Sequence, residues 1–173
     1  MHKVQFVRIS LQPDKLLVGM TAEMSVASDA TPNLWRRFMP RRREIHNTVS
    51  EVLYCVQSFS ALGGFENFTP ETIFEKWAAV EVARGSCIPD KMQLFTLRGG
   101  HFAVFDHSGP LSEFPKTLNF IFSDWLPQSA WQLDDREHFE MLLPGWRADD
   151  PNASEEVWIP VKSDEKNRES YQQ

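Results

Sequence analysis

Alternation of apolar and polar positions dominates this chain. Val4, Phe6 and Ile9 stand among polar residues from Lys3 to Leu11, which predicts a strand. Leu16 to Met24 continues as a second extended segment through Leu17, Val18, Met20 and Ala22. Thr31-Pro32 then offers a helix start, with Thr as cap and Pro at the first helical position, where its missing N–H is harmless. The helix from about Asn33 is weakened or ended by Pro40. Glu51 to Phe59 is rich in Val, Leu, Tyr and Phe and reads as a strand. Ala61 to Glu71, with Gly63-Gly64 and Thr69-Pro70, reads as a loop, and Phe74 to Ala83 as the next strand.

Gly85 to Lys91 is the one plausible internal boundary. Beyond it, Met92 to Leu97 is expected as a strand, Gly99-Gly100 as a turn, and His101 to His107 as the hairpin partner. A helix from about Ser112 to Leu126 follows, because Phe114, Leu118, Ile121 and Trp125 share one face, and Pro127 stops it. His138 to Leu143 is a short strand, Pro144 to Ser154 a loop, and Glu155 to Lys162 the last strand. Ser163 to Gln173 has no apolar period and is expected to be a disordered tail.

Two segments recur in the same order. Glu75-Lys-Trp-Ala-Ala-Val80 matches Glu156-Val-Trp-Ile-Pro-Val161, and Leu34 to Pro40 matches Ile121 to Pro127 in its apolar and aromatic positions. The offsets differ, so the first copy carries a short insertion between Pro40 and Glu75. The expected class is therefore α+β: tandem strand-helix-strand-strand repeats with pseudo-two-fold symmetry and a largely antiparallel sheet. Residues 1–162 form one domain, half one about 1–88 and half two about 89–162, since pieces of about 80 residues are marginal alone.

Alternation also assigns faces. Val157, Ile159 and Val161, like Ala78, Val80 and Val82, suit the layer beneath helices. Glu156 and Trp158, like Glu75 and Trp77, then share the opposite face, where a ligand cleft is expected. A carboxylate beside indole rings attracts an organic cation through charge and cation–π contact, the latter worth roughly 0.5–2 kcal/mol. The competing reading is an exposed strand face with packing tryptophans.

Composition narrows the classes. A hydrophobic content of 42% with 24% charged residues belongs to a globular protein. The net charge of -6 argues against direct nucleic-acid binding and favours cations. Five arginines, Arg36, Arg37, Arg41, Arg42 and Arg43, are the local exception and read foremost as a solvated helix end. Cys55 and Cys87 have no neighbours at ligand spacing, which argues against a disulfide framework, a metal site or a cofactor and points to a reducing cytoplasm. His101, His107 and His138 are scattered, with surface or hairpin roles expected. No apolar run reaches the ~20 residues that span a bilayer, so no membrane association is expected.

The run Phe102-Ala-Val-Phe-Asp-His-Ser-Gly-Pro110, the helix end Asp124-Trp-Leu-Pro127 and the terminal Glu156-Val-Trp-Ile-Pro-Val161 resemble the GyrI-like small-molecule-binding domain. This is the effector-binding domain of AraC- and MerR-type bacterial transcription regulators. The resemblance covers roughly Lys3 to Lys162. It implies two repeats around a hydrophobic cleft that accepts lipophilic cations, with a buried Glu. Glu156 matches the acid of the final strand and Trp158 follows it; Glu75 and Trp77 are assigned by internal symmetry. Trp35, Phe139 and Trp146 are further lining residues, with Trp146 as a lid. No helix-turn-helix is legible, so the resemblance implies a stand-alone member, with a protein partner or homodimer left open. Two alternatives remain: a hydrolase of strained electrophiles with Glu156 as general base and Tyr54 assisting, and a protein antagonist of the gyrase-inhibitor type.

Overall fold

The structure is a computed structural model that describes residues 2–59 and 65–163. The predicted tail beyond Ser163 and the Gly63-Gly64 pair lie outside the described residues. The first half comprises β1 (Lys3–Gln12), β2 (Lys15–Met24), α1 (Thr31–Phe38), β3 (Thr48–Ser58) and β4 (Phe74–Val82). The second comprises β5 (Gln93–Leu97), β6 (Gly100–Ser108), α2 (Phe114–Asn119), α3 (Leu126–Gln128), β7 (Trp131–Leu133), β8 (His138–Leu142) and β9 (Ser154–Ser163). Every strand pairing is antiparallel, in the order β1-β6-β9-β8-β3-β4-β2-β5, with β7 beside β9. Read from its centre outward, this order is the same in both directions. β8 mirrors β3, β9 mirrors β4, β6 mirrors β2, and β1 mirrors β5. The pseudo-two-fold axis passes between β3 and β8.

Each half lends its first strand to the other. β5 and β6 do not pair as a hairpin, contrary to expectation: β5 pairs β2 and β6 pairs β1. The register runs on without a break, from Gln12 opposite Gly100 to Lys15 opposite Leu97, so β1-β2 and β5-β6 make one long ribbon. Gly99 is at the crossing for steric reasons, since a Cβ there would sit 2.4 Å from the Gln12 carbonyl oxygen. Only Pro13 and Asp14 separate β1 from β2, yet these strands lie near opposite edges of the sheet. The sheet must therefore curl.

Helices cover one face. Leu34 and Phe38 of α1 pack on Val18, Met20, Ala78 and Val80. Ile121 and its aromatic neighbours pack on Ala103, Phe105, Val157 and Ile159. A third core on the opposite, concave face joins Leu17, Tyr54, Val56, Trp77, Leu97, Phe102, Phe139 and Trp158. The helix expected over Ser112–Leu126 is not uniform, because a π-helical segment, Phe120–Trp125, separates α2 from α3. Pro127 lacks the amide that would bond the carbonyl four residues back, so the regular ladder cannot continue through it. The short β7 was not legible in its three residues.

Candidate functional site

The concave face holds the predicted acid and indoles. Trp158 is buried and stacks on Phe139, with ring centroids 5.3 Å apart and planes 15° apart. Its Nε1 donates to Glu156 Oε2 at 3.0 Å. Glu156 is already paired: Arg8 Nη1 and Nη2 donate to its Oε1 at 3.2 and 3.3 Å, and the guanidinium lies 5.3 Å from the Trp158 ring centroid. Trp77 stacks on Phe95 at 4.9 Å, and its buried Nε1 has no hydrogen-bond partner among the described residues. Glu75 follows the same alternation but sits half-buried at the end of the face, opposite Glu23 and Ser58, outside the core that Trp77 joins.

Tyr54, buried at the centre of this face, donates to Glu81 Oε2 at 3.1 Å rather than to Glu156, and Glu81 pairs Lys15 at 3.4 Å. Burial first, then the neighbouring Glu81 and Glu156 charges, raise the phenol pKa far above its ordinary value. The tyrosine is a hydrogen-bond donor here, not a titrating group.

A second cluster lies on the helix-covered face, at the pseudo-axis. Cys55 of β3 faces Glu140 of β8 across it. Glu140 and Glu155 are only 8% and 5% exposed. Gln57 Nε2 donates to Glu140 Oε2 at 2.8 Å and lies 3.6 Å from the Cys55 sulfur. Burial pushes the Glu140 pKa up against the partial relief of Lys76 and the Gln57 and Cys55 hydrogen bonds. Glu155 is pushed up to about 8, chiefly by burial and then by the Glu140 charge. Lys76, which donates to Thr31 at 2.8 Å, is the cation whose charge acts on both acids. Both halves thus contribute to one buried acidic site.

Aromatic rings gather around His138, which shares its face of β8 with Glu140. Phe59 and Phe65, from the inserted connection of the first half, contact His138 at 5.0 and 5.2 Å, and Phe122 of the π-helical segment stacks on Phe65 at 5.0 Å. His138, expected at the surface, is instead buried in this group, and its pKa is lowered to about 3, by burial first and then by Arg136. Trp146 and Trp35 pack against the α1 core, so they stand on this face and not with Glu156. The Trp146 Nε1 makes no well-formed hydrogen bond, yet it is near enough to Glu155 to favour the charged form. Phe139 alone among the three additional lining residues joins Trp158.

Sequence reasoning missed Glu140 and Glu155. In His138-Phe-Glu-Met-Leu142 the odd positions are apolar and two of the even ones polar, the ordinary pattern of a strand with one wet face. The polar side is buried all the same, with His138 against Phe59 and Phe65 and Glu155 near Trp146. A concavity of about 350 Å³ lined by Phe120, Asp124, Trp125, Gln128 and Ser129, and one of about 400 Å³ at Met39, Pro40, Arg42 and Arg43, lie apart from both clusters. Among the described residues no group of three His, Cys, Asp or Glu is placed to hold a metal ion, and no helix is long and apolar enough to cross a membrane.

The model of the GyrI-like small molecule binding domain matches residues 5–162. The chain belongs to this family. A GyrI-like domain of this kind is also similar to the transcriptional regulator BrlR of Pseudomonas aeruginosa, 28% identical over 158 residues. That match covers 89% of the chain and 54% of BrlR, so the chain spans about half the length of that relative. Among solved structures, SAV2435 bound to tetraphenylphosphonium superposes with a TM-score of 0.64 at 14% identity, covering 95% of this chain and 96% of that one. The EcmrR C-terminal domain gives a TM-score of 0.66 at 10% identity, covering 95% and 99%. These likenesses establish a shared GyrI-like α+β fold.

Proposed function

We propose that this GyrI-like domain captures a hydrophobic organic cation at the pseudo-two-fold axis on the helix-covered face. Glu140 is the counter-ion and Glu155 a second acid that ionises when the cation arrives. The observation that carries this reading is the burial of two carboxylates beside the aromatic cluster at His138, with the ammonium of Lys76 acting on both. A buried carboxylate without a full partner is costly, so such a site gains by accepting positive charge from outside. A lipophilic cation supplies that charge and also buries apolar surface against Phe59, Phe65, Phe122 and Trp146. Trp146, in the loop between β8 and β9, acts as the lid over Glu155. The tetraphenylphosphonium bound to SAV2435 is a precedent for this ligand chemistry on the same fold.

We place the counter-ion at Glu140 and not at Glu156 because Arg8 already neutralises Glu156. The test is a titration with tetraphenylphosphonium and with neutral triphenylphosphine oxide. Glu140→Gln weakens the cation at least about 10-fold, or 1.4 kcal/mol, and the neutral compound far less. Equal losses for both compounds, or no loss for either, remove Glu140 as counter-ion.

A further inference from the structure

The described arginines divide into two groups. Arg8, Arg41, Arg98, Arg136 and Arg147 each pair with an acid. Arg36, Arg37, Arg42, Arg43 and Arg84 make no side-chain hydrogen bond or ion pair among the described residues. The first four of these sit together, at the end of α1 and in the 3-10 segment Met39–Glu44 that continues it. Residues 36–44 hold five arginines and a single acid, in a chain whose net charge is -6. Like charges this close repel, and acids are plentiful elsewhere on the chain, so folding alone does not account for collecting them here.

The pseudo-two-fold supplies a control. Leu34 to Pro40 aligns with Ile121 to Pro127, which puts Ser123 and Asp124 where Arg36 and Arg37 stand, and Ser129 and Ala130 where Arg42 and Arg43 stand. Both helix ends carry a hollow, of about 400 Å³ at Met39, Pro40, Arg42 and Arg43 and of about 350 Å³ lined by Phe120, Asp124, Trp125, Gln128 and Ser129. The fold therefore builds this hollow twice and needs no arginine to do it. Nor does the helix dipole require them, since the last turns of the second copy hold no basic residue.

Arg41 fixes the segment in place. Its Nε and Nη2 donate to Glu44 at 2.9 and 2.6 Å, and Nη2 also reaches the Asp90 carbonyl at 2.9 Å, which ties the segment to the connection between the halves. Arg36, Arg37 and Arg43 stand exposed, Arg42 is half-buried at the hollow, and Met39 is 40% exposed beside it. Guanidinium forks match carboxylates two hydrogen bonds at a time, and Met39 and Pro40 offer an apolar floor between them. From Arg36 to Arg43 the helical rise spans about 12 Å, the length of about four residues of extended chain. A longer polyanion such as a nucleic-acid duplex would also meet the acidic remainder of the chain and be repelled.

We propose that the end of α1 is a docking surface for an acidic segment of a partner protein, a stretch of about four residues in which carboxylates flank an apolar side chain. Arg36, Arg37, Arg42 and Arg43 hold the carboxylates, and the hollow over Met39 and Pro40 takes the apolar group. The surface lies apart from Glu140 and from the tryptophan face, so it does not rest on the cation reading.

The probe is a fluorescein-labelled peptide of Asp, Glu and Leu, read by anisotropy at low salt beside its Asn, Gln and Leu counterpart and a labelled random-sequence DNA duplex. The acidic peptide binds the unaltered protein and its amide counterpart does not. Arg42→Gln with Arg43→Gln weakens the acidic peptide about 10-fold or more. Lys3→Gln with Lys162→Gln removes the same charge from exposed positions of β1 and β9 and changes the affinity less than about 2-fold. Arg36→Gln with Arg37→Gln reads the loss if the first variant folds poorly. No binding of the acidic peptide, equal losses in the arginine and lysine variants, or a duplex that binds through Arg42 and Arg43 more tightly than the peptide overturns the proposal.

Discussion

Replacing Glu155 with Gln tests the electrostatics of the pseudo-axis most directly. Burial and the Glu140 charge move the Glu155 carboxyl from its ordinary value near 4.5 to about 8 in the folded chain. The folded state therefore holds a proton that the unfolded state releases between these limits. The stabilisation tied to that proton is complete below pH 4.5 and is lost as the pH rises through about 8. Each pH unit of this interval corresponds to about 1.4 kcal/mol, so the whole interval amounts to about 5 kcal/mol at most. For a chain of this length about 5 kcal/mol is on the order of 10 °C in Tm. His138 titrates in the opposite sense, with a folded value lowered to about 3, so its stabilisation is present above pH 6.5 and lost as the pH falls through 3. Comparing the two proteins at each pH cancels that contribution. Scanning calorimetry from pH 5 to 9 is expected to show a Tm that falls more steeply in the unaltered protein than in Glu155→Gln, which keeps shape and polarity but cannot ionise. Parallel profiles would refute the argument, because Glu155 would then titrate alike in both states.

Other outcomes follow from the same geometry. Tetraphenylphosphonium binding should release protons near neutral pH and tighten as the pH approaches 8, seen as a calorimetric heat that depends on the buffer; a buffer-independent heat contradicts the coupling. Gly99→Ala puts a Cβ 2.4 Å from the Gln12 carbonyl oxygen, so urea denaturation should show a loss of about 3 kcal/mol or more. The register of β1 against β6 shifts at Val7, with Phe6 opposite Phe105 and Arg8 opposite Val104; deleting Val7 makes Phe6 and Arg8 consecutive and keeps both on their present faces, so a change within about 1 kcal/mol and a retained Arg8–Glu156 contact in NMR spectra are expected, and loss of that contact contradicts the register. Tyr54→Phe removes one hydrogen bond while Lys15 still pairs Glu81, so its cost should be only about 1 kcal/mol.

The sequence makes local order legible where one residue's partner is set by alternation. Val157, Ile159 and Val161 fall beneath the helices and Trp158 falls opposite them because the side-chain period of a strand is fixed. The repeat is legible for the same reason, as Glu-x-Trp occurs in two strands that mirror each other across the axis. Pairing between distant strands is not legible in this way. Gly99-Gly100 is an ordinary turn signal, and nothing nearby reveals that Gln12 passes within contact distance. Val7 looks like one more apolar residue of β1, although the register against β6 shifts there. The buried acids escaped because Glu140 sits at a position that most strands expose, and the rings gathered at its same-face neighbour His138, Phe65 and Phe122, are remote in the chain.

The placement of β9 constrains how this protein is made. Of the strands described, β9 comes last in chain order yet is an interior one, bonded to β6, β8 and β7, while β1 waits for a partner nearly a hundred residues downstream. Until β9 inserts, β6 and β8 each present an unsatisfied edge and the layer under the second helix lacks Val157, Ile159 and Val161. Assembly is consequently a late, all-at-once event, and a nascent chain cut short before Ser154 would be a sticky fragment rather than a smaller working protein.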